Sequence, residues 1–162
     1  MKKLLLFVAL TGLFFEGKAQ EESEVRGFRI GVGTTLAIPI SNLDGTSIGF
    51  GVDVLAHYGL SDNVAVTLDG GYIGLLGKAG VGSSNLFPLR AGIRYFPISR
   101  LFLGAKAGIG ILSVAGTSIT TTAYSVGAGF MISSKFDVGV AYEGYSKNGS
   151  FGYIGLRLGR TF

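Results

Sequence analysis

The stretch that decides the fold is 153–162, YIGLRLGRTF, with which the sequence ends. Bulky side chains fall in one phase of this stretch, and most of the residues between them are glycine or polar: Ile154, Leu156, Leu158 and Phe162 against Gly155, Arg157 and Gly159. A period of two is typical of a β-strand whose faces meet different surroundings. Soluble domains usually end in a few frayed polar residues, so an alternation that continues to Phe162 predicts a strand that is paired to its last residue.

The same alternation recurs through the rest of the chain. It predicts eight strands, at roughly 28–38, 48–58, 64–75, 87–96, 101–111, 123–132, 136–145 and 151–162. One phase of each strand is apolar, as in Phe50, Val52 and Val54, and the other phase is small or charged, as in Gly49, Gly51 and Asp53. The predicted fold class is therefore all-β, an eight-stranded antiparallel up-and-down barrel.

Two architectures fit alternating strands, and the glycines separate them. A soluble sandwich or a lipocalin-like barrel turns its apolar face inward and carries Lys, Glu, Ser and Thr outside. A transmembrane barrel inverts this pattern, with apolar residues facing lipid and polar residues filling the lumen. The sequence holds 28 Gly in 162 residues, is 48% hydrophobic and only 15% charged. A glycine-heavy second face suits the crowded, curved wall of a small lumen, which favours a transmembrane β-barrel with a polar, glycine-rich lumen.

Connections and aromatic residues support the same interpretation. Predicted turns after the second, fourth and sixth strands are short (GLSDN, FPIS, SSK), whereas the other connections are mostly longer (SNLDGTS, GKAGVGSSN, AGTSITTT, SKNG). Short turns on one side and longer loops on the other are typical of outer-membrane barrels. Nearly all tyrosines share the apolar phase, and the outward aromatics sort into two belts, as expected at the two bilayer interfaces.

The N-terminal segment has the layout of a secretory signal peptide. Lys2 and Lys3 precede an apolar run from Leu4 to Phe15, and small residues precede Gln20. The run is shorter than the roughly 20 residues that a membrane-spanning helix needs. We therefore expect a signal peptide at 1–19, a short periplasmic lead at 20–27 and a barrel over 28–162.

Composition excludes several classes of function. Without residues 1–19, which contain three lysines and one glutamate, the chain carries 11 basic and 9 acidic residues and has no basic stripe of the kind that binds nucleic acid. With no cysteine, it forms no disulfide and carries no lipid anchor on a cysteine. We find no metal-ligand cluster, phosphate loop or nucleophile elbow, so no catalytic, cofactor-binding or metal-binding residues are predicted.

The small-residue phase also contains charged residues, which the barrel would direct into its lumen. We expect these side chains to form a structural network there, made up of Arg29, Asp53, His57, Asp69, Arg90, Arg94, Lys106, Glu143 and Arg157. Asp137 is a further acid that faces inward. Unpaired charges in a closed lumen are energetically costly. Because the inward basic and acidic residues are nearly equal in number, we expect them to form salt bridges that plug the lumen. The expected function is that of a structural protein that maintains the integrity of the cell envelope.

The sequence leaves two alternative functions open. A lumen lined with charges also suits a narrow porin-like channel for ions or small solutes. A lipid-modifying enzyme would need His57, the single histidine, to act with Asp53, but four residues along a strand separate the two backbones by about 13 Å. Short loops without aromatic anchors make an adhesin a poor fit.

The chain resembles a known family in several stretches: GVGTTLAIPI (31–40), LRAGIRYFP (89–97), LGAKAGIG (103–110), AYEGYS (141–146) and YIGLRLG (153–159). These are similar to small bacterial outer membrane protein beta-barrels, OmpA-like and porin-like in the loose sense, many of them from Bacteroidetes-type bacteria. The resemblance implies an integral outer-membrane location and contact with outer-membrane lipids, and it carries over no catalytic residue. Nothing in the sequence indicates an oligomeric state.

The C-terminal end resembles the signal that the barrel-assembly machinery reads during insertion. Its expected elements are Ile154, Leu156, Leu158 and Phe162. Arg160 departs from this pattern, because that position is usually apolar or aromatic, and we expect its side chain to extend toward the lipid headgroups.

Overall fold

A computed structural model describes residues 26–41, 46–78, 82–114, 116–147 and 149–162. The predicted signal peptide and most of the predicted lead lie outside this part of the chain and stay predictions. Eight strands form the fold: β1 (Gly27–Ser41), β2 (Thr46–Gly59), β3 (Val64–Gly77), β4 (Ser84–Ile98), β5 (Leu101–Val114), β6 (Thr117–Met131), β7 (Phe136–Ser146) and β8 (Ser150–Thr161).

The strands close into a barrel in which each pairs antiparallel with its neighbours in sequence order. Closure comes from β1 and β8, whose register runs from Gly31 opposite Thr161 to Ser41 opposite Gly152. The Phe162 amide adds a hydrogen bond to the Ile30 carbonyl at 2.8 Å. The predicted eight-stranded up-and-down barrel is thus confirmed, and pairing between the first and last strands removes the sheet edge.

The outer face of the barrel is apolar on every strand. Phe50, Val52 and Val54 on β2, for example, are each more than half exposed, whereas the alternate residues Gly49 and Gly51 are buried. The strands contain 11 to 15 residues, and about 9–11 suffice for a tilted strand to cross a bilayer. Within the described residues, no helix is long and apolar enough to span a membrane.

The two ends of the barrel hold different connections. The terminal rim holds Gly27, Phe162 and the turns 60–63, 99–100 and 132–135. The distal rim holds the connections 42–45, 78–83, 115–116 and 147–149, several of which lie partly or wholly outside the described residues. These connections span two to six residues, against two to four at the terminal rim, so the expected difference in loop length is largely wrong.

The strands extend further at the distal rim than the sequence pattern predicts, β6 by the most. The predicted loop AGTSITTT is mostly strand, because β6 begins at Thr117 and pairs with β5 from there on. Threonine is polar but β-branched, and it favours extended backbone even where the alternation of hydrophobicity fades. On the fourth strand, β4 begins at Ser84 rather than near residue 87 and runs through Pro88.

The tyrosines do not all face outward. Tyr58, Tyr72 and Tyr95 are exposed on the outer face, but Tyr145 and Tyr153 are fully buried in the lumen. The expectation that nearly all tyrosines share the outward phase therefore fails for two of the seven. Both inward tyrosines lie in the same strand phase as Glu143 and Arg157, and this phase directs them inside.

We expect the folded protein to resist SDS at room temperature and to change its gel mobility after boiling. A closed ladder offers detergent no free edge from which to separate the strands, so unfolding requires the whole barrel to open. The measurement compares boiled and unboiled samples of the membrane fraction. Equal mobility in both samples, with the protein recovered in the soluble fraction, would contradict the inside-out arrangement of its faces.

Candidate functional site in the barrel lumen

Charged side chains from six strands occupy the middle of the lumen. Along β3 the inward residues run from Ala65 through Thr67 and Asp69 to Ile73, so the charged level lies between two apolar ones. Of the predicted network, His57, Asp69, Arg90, Arg94 and Glu143 are buried. The charged residues form two groups of ion pairs, each of which joins strands that are not all neighbours.

The first group centres on Asp69, which is 2% exposed. Arg90 on the neighbouring strand β4 donates to Asp69 Oδ2 from Nη2 at 2.7 Å and from Nε at 3.1 Å. Lys106 Nζ on β5 lies 2.9 Å from Asp69 Oδ1. Arg90 Nη1 reaches Glu143 on β7, whose other oxygen accepts a hydrogen bond from Ser125. This connected group of side chains therefore links β3, β4, β5, β6 and β7.

The second group centres on Arg157 of β8. Its Nη2 donates to Asp53 on β2 at 2.8 Å, and its Nε lies 3.0 Å from both Asp53 carboxylate oxygens. Its Nη1 donates to Asp137 on β7 at 2.8 Å. Arg157 thus joins β2 to β7 across the seam at which the barrel closes, and its single positive charge is shared by two carboxylates.

Glycines provide the space for this guanidinium. A Cβ atom built on Gly33 of β1 or on Gly159 of β8 would overlap the Arg157 side chain. The glycines of β1 and β8 therefore do more than allow the wall to curve, because these two leave room for a buried arginine beside the barrel seam.

Three predicted members of the network stand apart from these ion pairs. Arg94, 5% exposed, makes no salt bridge to a described residue and instead stacks on Phe102, with its guanidinium carbon 4.2 Å from the ring centroid. Arg29 lies opposite His57 in the β1–β2 ladder. His57 Nε2 is buried and has no hydrogen-bond partner in the described part of the chain. Asp53, the candidate partner of His57 in an enzyme, pairs with Arg157 instead.

Apolar side chains fill the lumen on both sides of the charged level. The distal cluster contains Tyr145 and Tyr153, which stack with ring centroids 6.0 Å apart and share a hydrogen bond of 3.3 Å between their hydroxyls. Ile73, Leu75 and Leu86 pack with them. The terminal cluster contains Ala65, Phe96, Phe102 and Met131. The lumen is therefore not polar throughout, and its charges lie between two apolar layers.

A cavity of about 70 Å³ remains among the charged side chains. Its lining reaches Tyr153 on the distal side and Phe102 on the terminal side, so it borders both apolar clusters. On this measure one water needs about 10–15 Å³, so the cavity has room for several waters. Over the ranges that the structure describes, no group of three or more His, Asp or Glu side chains is arranged to hold a metal ion.

The predicted network omitted neutral residues that lie in the lumen, among them Ser125, which falls in the predicted small-residue phase. Ser125, Tyr145 and Tyr153 are neutral, and a search for charges in the small-residue phase passes over them. Strand parity was the available signal, since Tyr145 lies two residues after Glu143 and Tyr153 four before Arg157. The residues of the predicted assembly signal point the other way: Leu156, Leu158 and Phe162 are exposed on the outer face of β8, and Ile154 is partly exposed there.

Solved structures share this architecture at low sequence identity. The N-terminal β-barrel domain of Pseudomonas aeruginosa OprF is 17% identical, with a TM-score of 0.66 over 83% of this chain and 97% of that one. Neisserial surface protein A is 17% identical, with a TM-score of 0.61 over 83% and 95%. Ail, the attachment invasion locus protein of Yersinia pestis, is 19% identical, with a TM-score of 0.58 over 85% and 99%. At this identity the likeness concerns the fold alone.

The family follows from a sequence model that covers nearly the whole chain. No curated protein matches the sequence. The model of the outer membrane protein beta-barrel domain, however, matches residues 6–162. Its match agrees with the closed eight-stranded sheet and the apolar outer face. The chain therefore belongs to the outer membrane protein beta-barrel domain family, and it is a protein of the outer membrane.

Proposed function

We propose that this barrel is a structural component of the outer membrane whose lumen is plugged by its own side chains. The observation that carries the proposal is the filling of the lumen, with paired charges at the middle and apolar clusters on both sides. An eight-stranded barrel is just wide enough for side chains to fill. Such a protein contributes a rigid lipid-facing surface to the envelope rather than a path through it.

Charge balance inside the lumen supports this role. Four buried or nearly buried cations, Arg90, Arg94, Lys106 and Arg157, face four acids, Asp53, Asp69, Asp137 and Glu143. Charges paired at 2.7–2.9 Å are already compensated and offer little attraction to a passing ion. The same pairing supports a non-catalytic role, because the acids are occupied by arginine and lysine.

The C-terminal strand supports a second part of the proposal, recognition by the barrel-assembly machinery during insertion. The outward residues Leu156, Leu158 and Phe162 lie on the strand that closes the barrel against β1. A strand that closes the barrel and exposes regular apolar side chains on its outer face suits recognition before closure.

Conductance in planar bilayers tests the plugged lumen. We expect the purified protein to insert without discrete current steps, because in our proposal the luminal side chains close the path between the rims. Regular steps of one amplitude would overturn the plug and favour the narrow channel.

In parallel, deletion of the gene is expected to sensitise cells to detergent, with resistance restored by the wild-type gene. Unchanged resistance would count against the envelope role.

A further inference from the structure

Arg160 is a cation on the lipid-facing side of the barrel. It lies on β8 between Leu158 and Phe162, both of which are exposed on the outer face. In the ladder it is opposite Val32 of β1 and Phe136 of β7. These neighbours are apolar, and Arg160 lies close to the terminal rim, where the hydrocarbon region of a bilayer gives way to headgroups.

The guanidinium of Arg160 has aromatic neighbours but no acid. Its central carbon lies 5.0 Å from the ring centroid of Phe162 and 5.7 Å from that of Phe136. Among described residues no carboxylate pairs with it, and its buried Nε makes no hydrogen bond. A lipid-facing cation without a protein partner requires an anion from its surroundings, and near a bilayer interface the abundant anion is a lipid phosphate.

A groove on the outer face begins beside Arg160. It has a volume of about 560 Å³, crosses β8, β1, β2 and β3, and is bordered by Arg160 and Phe136 at one end and Tyr72 at the other. Small side chains form its floor, including Val32, Thr34, Val54 and Gly70. The volume is in the range of about 300–1,000 Å³ that is usual for small-molecule sites. A cation at one end of an apolar groove matches an anionic headgroup joined to a hydrocarbon chain.

We propose that Arg160 and this groove bind one anionic glycerophospholipid. The phosphate accepts hydrogen bonds from the Arg160 guanidinium, and one acyl chain lies in the groove over Val32, Val54 and Gly70. A single guanidinium matches the single charge of a phosphodiester, whereas lipid A presents two phosphates. The site goes beyond the general contact with lipid that every membrane barrel makes, because it fixes one headgroup at one residue.

Native mass spectrometry of the detergent-solubilised barrel tests the site. The protein is incubated with equal amounts of phosphatidylglycerol and phosphatidylcholine and analysed for retained lipid. We expect wild type to retain one phosphatidylglycerol in preference to phosphatidylcholine. Arg160→Gln is expected to lower that adduct by about tenfold, the effect of losing a charge-assisted hydrogen bond.

Two variants make the test specific. Arg100→Gln removes the same charge from an exposed turn at the same rim and is expected to leave the adduct unchanged. Gly70→Leu fills the groove, and the nearest atom to its new Cβ, Leu89 Cδ1, is 3.6 Å away, so the strand accommodates it. This variant is expected to lower retention of phosphatidylglycerol while Arg160 remains. The wild type and the variants are compared only if each runs as folded protein on an unboiled SDS gel.

The outcomes separate the sources of phosphate. Loss of the adduct in Arg160→Gln and Gly70→Leu, but not in Arg100→Gln, supports the site. Equal retention by wild type and Arg160→Gln, or equal retention of both lipids by wild type, overturns it. Displacement of phosphatidylglycerol by an equimolar amount of lipid A would overturn the assignment to a glycerophospholipid.

Discussion

Replacing Asp69 with alanine is expected to lower the free energy of unfolding of the barrel by about 3–5 kcal/mol, the range found when one partner of a buried ion pair is removed. Asp69 compensates two cations, Arg90 at 2.7 Å and Lys106 at 2.9 Å. Without it, Glu143 remains the only acid paired with Arg90 among described residues, and Lys106 loses the one acid paired with it there. The barrel would have to hold two poorly compensated charges in a narrow lumen.

Urea unfolding of barrels folded in detergent micelles measures this loss, with the folded fraction read from the cold SDS gel band. Asp62→Ala is the matched control, because it removes a carboxylate that pairs with Arg26 at 2.7 Å but is more than half exposed. An exposed pair contributes about 0–1 kcal/mol. Equal losses in the two variants would mean that the luminal network does not stabilise the barrel.

The sequence predicted that these charged side chains face the lumen, but it did not predict which of them form ion pairs with one another. Strand parity placed Asp69 and Arg90 on the same face, and the register then made them direct neighbours in the β3–β4 ladder. Arg157 is different, since its partners Asp53 and Asp137 lie on β2 and β7, either side of the seam. Contacts of this kind depend on the stagger of strands around the closed barrel, which alternation alone does not specify.

Strand ends and apolar luminal layers were harder to predict for a related reason. Thr117 to Thr122 looked like loop because polar residues occupied both phases, yet they pair as strand with β5. Tyr145 and Tyr153 fell outside the two predicted aromatic belts, and the small or charged residues of the luminal phase gave no sign of an aromatic layer, yet parity directs both tyrosines inward. In both places residue type suggested one environment and the continuing backbone ladder imposed another.

The composition indicated that glycines line the lumen, but it did not distinguish a glycine needed for space from one that is dispensable. Gly108 and Gly104 illustrate the difference, because both lie on β5 and face the same side. A Cβ on Gly108 would overlap the backbone carbonyl oxygen of Leu89 and lie 2.8 Å from Arg90 Cα. A Cβ on Gly104 would lie 3.7 Å from the Ile93 carbonyl oxygen, which is an ordinary contact.

Gly108→Ala is therefore expected to lower the free energy of unfolding by about 1–3 kcal/mol, the usual range for inserting an atom where none fits. The overlap is with backbone, which no change of rotamer relieves, so β4 and β5 must separate locally beside Arg90. That separation also disturbs the ion pair between Arg90 and Asp69. The same urea titration measures the effect, read from the midpoint and slope of the unfolding curve.

Gly104→Ala is the matched control, with the same chemical change on the same strand and the same face. We expect its unfolding midpoint to equal that of wild type or to rise slightly, because alanine restricts the unfolded chain more than glycine does. A loss as large in Gly104→Ala as in Gly108→Ala would mean that β5 requires glycine for its backbone conformation. A loss confined to Gly108→Ala would instead identify the close approach of β4 and β5 as the reason for that glycine.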